Sequence, residues 1–179
     1  MDLERAQGDF RKAHADGAPG VFVSALVWLA AGYVWQVAGL ERAFLVLFFG
    51  GMAIHPLATA LARLALRRPA HDPANPLARL ALESTLALIV GIVIAWVLLM
   101  RQPELAIPAF AAIMGARFMV FRTLYGRAFY WLLGGAIALL GCAALFARTV
   151  PVGNLAWQVG LIELVGAALL VLRQRGSAP

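Results

Sequence analysis

Four ionisable side chains, His55, Glu83, Arg117 and Glu163, fall inside long apolar runs of the sequence. A charged group at the centre of a membrane helix costs at least about 2.5–3.5 kcal/mol, so such residues turn inward, find partners, and mark places where an anion could be held or a proton moved. A rise of about 1.5 Å per residue puts His55 and Arg117 roughly 18 Å, and Glu163 roughly 14 Å, from the outer ends of their runs. The three share a level slightly inward of the midplane and are expected to meet as an internal polar cluster. Glu83, beside Ser84 and Thr85, lies nearer the inner end and adjoins the cluster as a second carboxylate within reach of Arg117.

Each residue also has a structural reading. Arg117 could extend to the inner headgroups or pair with a glutamate, a carboxyl that finds no cation can be buried in its neutral form, and a lone histidine can simply pack. His55 precedes Pro56, which deletes a backbone hydrogen bond, and Gly50 and Gly51 precede both, so a kink is expected there. A carbonyl freed beside a titratable imidazole would suit a ligand or a proton.

These residues are positioned by six apolar runs, each near the ~20 residues needed to span hydrocarbon. They cover about 21–39, 43–66, 80–100, 105–121, 129–147 and 154–172. The fold class is therefore all-α, a polytopic bundle of six transmembrane helices. Residues 1–19 form an N-terminal segment, 20–173 the membrane domain and 174–179 a tail. Leu3, Ala6, Phe10 and Ala13 recur at helical spacing, which predicts either a short interfacial helix or a frayed polar tail. The loop after the second run carries three prolines, which argue against helix. The N-terminus mixes acids with bases and lacks the pattern of a signal peptide, so it is expected to stay attached.

Composition sets the class. With 63% hydrophobic and 13% charged residues, the 179-residue chain has too little polar surface to clothe a water-soluble globule. Its net charge of +6 sits at the ends of the apolar runs, as orientation and anchoring require, with no basic and aromatic surface for nucleic acid. Counted on alternate loops, and leaving Arg63 and Arg117 aside as intramembrane, one side collects ten basic residues and the other three: Arg42, Arg101 and Arg148. Both termini are expected in the cytoplasm and the protein in a bacterial inner membrane.

Small residues at four-residue spacing, Gly134, Ala138 and Cys142 in the fifth run and Ala156 and Gly160 in the sixth, allow close helix crossings within the chain or between copies. The bilayer is the expected partner, with a second copy or another membrane protein as further candidates. No metal-ligand spacing, nucleophile motif or phosphate-binding loop is present, so no cofactor and no catalytic residue is assigned.

Gly17-Ala18-Pro19 leading into a Trp28-containing helix, Asn75-Pro76-Leu77, Pro103-Glu104, and Gly115-Ala116-Arg117-Phe118 running on to Tyr125 together resemble a family of uncharacterised bacterial six-helix membrane proteins, a domain of unknown function. The resemblance spans essentially the whole chain and implies a fold without an activity. Three functions are compatible with the residues: binding or transport of a small solute, ion or proton through the polar cluster; a structural or accessory role with the charges locked in pairs; or an intramembrane enzyme acting on lipid, with His55 or Glu163 as acid–base group and Arg117 as phosphate ligand.

Overall fold

The computed structural model describes residues 1–147 and 152–176; Arg148 of the last outer turn and the tail beyond residue 176 lie outside the described residues, as does the side chain of Arg175. The described chain has helices and connecting segments but no strands, and contains six helices long and apolar enough to cross a membrane.

α1 (Leu3–His14) starts where the Asp2 side chain accepts a hydrogen bond from the Arg5 amide at 2.9 Å, and it carries Glu4 in its first turn and Arg11, Lys12 and His14 in its last. Those charges complement the helix dipole at both ends. Ala6, Phe10 and Ala13 are buried, but against protein; Leu3 stays exposed. α1 lies across the basic end of the bundle, where Gln7 donates to the Thr123 carbonyl and Arg11 to the Tyr125 carbonyl at 2.8 and 2.9 Å.

Three successive left-handed residues, Ala15, Asp16 and Gly17 at φ 48, 51 and 81°, then turn the chain into the membrane. A Cβ on Gly17 would run into the Tyr125 and Tyr130 rings, so glycine is required there on two counts. α2 (Ala18–Ala38) follows with Pro19 in its first turn, and α3 (Leu40–Ala60) begins directly after Gly39.

α3 passes through Pro56 without a break in helical assignment and ends in a π-helical turn, Leu61–Ala65. Gly50 lies against the Val27 side chain of α2, whereas Gly51 faces open space. The proline-rich segment that follows has no regular helix and is tied to α1 through Asn75. The Asn75 amide donates to the Ala6 carbonyl and to the Asp9 carboxylate at 2.9 and 2.8 Å, and its oxygen accepts from the Leu77 amide at 3.0 Å.

α4 (Leu77–Arg101), α5 (Pro103–Tyr125), α6 (Phe129–Ala147) and α7 (Val152–Gly176) complete the bundle. Most helices overrun their apolar runs by a turn or less, because helix continues into the polar headgroup zone.

The six spans group as two triplets. α5 packs most extensively on α6 and α4, while α2 packs most extensively on α7 and α3; contact between the triplets is thinner. Across the seam Trp28 of α2 stacks on Phe110 of α5 at 5.6 Å, and Phe44 of α3 meets Phe110 edge-on at 6.4 Å. The triplets are not consecutive in sequence, since α2 and α7 share one of them.

Candidate functional site

Glu163 is 0% exposed near the middle of α7. Gly160 backs onto Leu29 of α2, and Gly166 backs onto Leu133 of α6. A residue three positions from each sits about 60° round from both, so Glu163 occupies the face between, where α2, α6 and α7 converge at the seam. Neither carboxyl oxygen has a hydrogen-bond partner, and the Ser24 hydroxyl of α2, the polar group beside it, is buried and equally unpartnered. The Trp157 indole N–H, packed against Gly32 of α2, is a third unpartnered polar group of this interface. A row of buried polar atoms without partners is costly, since each forgoes water for nothing.

Arg117 does not join it. Gly115 of α5 packs on the backbone of α6 at Gly134 and Ala138, and a residue two positions further is about 200° round the helix. Arg117 therefore faces α4, where its guanidinium donates to the Thr85 hydroxyl at 3.1 Å and lies 5.5 Å from the Phe121 ring. Its Nε is buried without a partner, and among the described residues no carboxylate stands within ion-pair distance of it. Arg117 and Glu163 face different neighbours around the bundle, α4 for one and the α2–α6–α7 seam for the other.

His55 and Glu83 are both exposed on the bundle's outer surface, on α3 and α4. The four residues thus occupy four separate places. His55 is near enough to influence the ring of His14, whose pKa burial lowers to about 4, helped by His71, Arg63 and His55 in that order. His14 and His71 pack on Phe10 with centroids 5.3 and 5.1 Å away, a ring cluster under the end of α1.

The small residues make intramolecular crossings. Gly134 and Ala138 of α6 meet α5, but the next approach is made by Gly141, against Ala112 and Pro108, while Cys142 is a partly exposed free thiol. Ala156 is fully buried, and Gly160 serves the α2 contact.

Several polar residues that organise the molecule carry no sequence signal of comparable strength. The Tyr130 hydroxyl donates to the Asp16 carbonyl and Gln174 to the Ala15 carbonyl, both at 2.6 Å, and Arg127 pairs with the Asp16 carboxylate at 3.1 Å. Together they pin the left-handed turn.

Among the described residues no group of three or more His, Cys, Asp or Glu is placed to hold a metal ion. No curated protein and no solved structure matches the chain. Residues 3–173 match the model of a family of unknown function, DUF7010, and the chain belongs to that family.

Proposed function

We propose that this integral membrane protein binds and translocates protons at Glu163, with Ser24 as the second group of the site. One observation carries the reading: a carboxyl buried at mid-span has no cation beside it and no well-formed hydrogen bond, the Ser24 hydroxyl being the one polar group next to it. Hydrocarbon in its place would be cheaper for a protein that only had to pack, and intramembrane carboxyls kept at such cost serve proton relays. Two features support it. Unpartnered polar atoms at Trp157, Ser24 and Glu163 follow the α2–α7 interface, and the thin seam between triplets allows one to rock against the other and open the carboxyl to alternate sides.

The ten-to-three bias of basic residues supports an orientation with both termini in the cytoplasm of a bacterial inner membrane. The ring of helix-end arginines at the α1 end belongs to that side.

Purified protein in liposomes carrying an internal pH indicator tests the activity. Under an imposed potential the native chain should acidify the lumen faster than empty liposomes, and Glu163→Gln should return the rate to background while keeping the same elution profile. Equal flux in Glu163→Gln would refute the role of this carboxyl. A gain in stability for Glu163→Leu with no native flux at all would favour an accessory protein instead.

A further inference from the structure

The face of the bundle opposite Glu163 holds a second unfinished polar site. Between α4 and α5 lies a cavity of about 240 Å³ lined by Ser84, Ala87, Ile113, Ala116, Arg117 and Val120. Val90 and Glu83, one turn along α4 on either side of Ala87, are both exposed, so this edge of the α4–α5 pair faces outward from the bundle. Arg117 contributes to the cavity's largely apolar wall, and its guanidinium makes a single hydrogen bond, to Thr85 beside Ser84 on α4, leaving a buried Nε that has no partner. The Ser84 and Thr85 hydroxyls both donate to the Ala81 carbonyl, and a hydroxyl can rotate toward a better acceptor.

Depth selects the occupant. Arg117 stands about 12 Å above the end of α5 at Tyr125, and its guanidinium leans toward Phe121, that is, toward the basic end of the bundle. A soluble anion would have to cross apolar surface to arrive there. A phospholipid reaches it by sliding laterally, with its phosphate held at the level of the guanidinium and its chains against Val90. We propose that this cavity is a binding site for the phosphate of a phospholipid from the leaflet at the α1 end, with Arg117 as its principal ligand and Ser84 and Thr85 as hydroxyl donors. The cation stays unpaired within the protein because the lipid completes it. The site is independent of Glu163 and stands or falls without the proton reading.

Native mass spectrometry of the detergent-solubilised protein, titrated with phosphatidylglycerol, with diacylglycerol of the same chains, or with inorganic phosphate, tests the assignment. One phosphatidylglycerol should bind in preference to diacylglycerol. Arg117→Gln should weaken it about ten- to hundredfold, the worth of a charge-assisted hydrogen-bonded contact. Ala116→Leu fills the cavity from an exposed position and leaves Arg117 in place, so it should abolish the preference with the fold intact. Equal binding of diacylglycerol, or unchanged phosphatidylglycerol binding in Ala116→Leu, would overturn the site. Displacement of the lipid by inorganic phosphate at comparable concentration would overturn the lipid as its source.

Discussion

Glycine 115 offers the sharpest perturbation of the framework that holds both sites. A Cβ added there would lie 2.6 Å from the Gly134 carbonyl oxygen and 2.7 Å from the Ala138 Cα, against the 3.4 Å at which ordinary contact begins. The Ala138 amide nitrogen would be nearer still, and all three atoms belong to helix backbone, which cannot rotate away as a side chain would. Overpacking of this kind costs about 1–3 kcal/mol, offset by roughly 1 kcal/mol of intrinsic preference for alanine in a helix. Gly115→Ala should therefore lose up to about 2 kcal/mol net, and about 1–3 kcal/mol relative to alanine at an open glycine site. Gly134→Ala, 2.5 Å from the Gly115 carbonyl oxygen, should lose a similar amount. The pair should be non-additive because both open the same crossing. Gly135 and Gly51 face nothing within 4 Å, so alanine at either should be neutral or stabilising by up to about 1 kcal/mol. Reversible unfolding in mixed micelles of mild detergent and dodecyl sulfate reads all four on one scale. If Gly115→Ala were as stable as Gly135→Ala, the tight α5–α6 crossing would be wrong, and with it the azimuth that turns Arg117 toward α4.

Acid should loosen the α1 end. His14 titrates near 4 in the folded protein against an ordinary value near 6.5, so the unfolded chain binds more protons in that interval. The stability owed to its neutral ring is complete above about 6.5 and is lost as pH falls toward 4, to a limit of about 3 kcal/mol; proteolysis of α1 between pH 7 and 4.5 should accelerate in the native chain and much less in His14→Gln. Tyr130→Phe should cost about 1 kcal/mol by removing the donor to the Asp16 carbonyl, read as a lower unfolding midpoint and faster cleavage near residue 16.

What could be read without coordinates was whatever a helix announces along its own axis. Runs of apolar residues gave the spans, and counting from their ends placed His55, Arg117 and Glu163 within roughly 4 Å of one level. Direction around the axis was hidden, because lipid-facing and protein-facing sides of a span are equally apolar and leave no stripe to follow. A cluster inferred from depth alone therefore dissolved into an α4-facing arginine and an α7 carboxyl at the seam. Gly115 held part of the answer, since a glycine marks a close-packed face and a residue two positions on points away from it. α1 shows the complementary case: its amphipathic spacing put Leu3, Ala6, Phe10 and Ala13 on one face, of which the last three are buried, but pattern could not distinguish a membrane surface from the underside of the protein as what that face covers.

The pairing of α2 with α7 bears on how the molecule is assembled. α2 has its main neighbour in α7, which is made long after it, and the turn that leads into α2 is pinned by Gln174, 159 residues downstream of Ala15. Until α7 arrives, Ser24 and the small-residue face of α2 have only lipid or insertion machinery to lean on. Chains stalled before α7 should present α2 as a degradation signal, and quality control would read the arrival of α7 from the burial of α2.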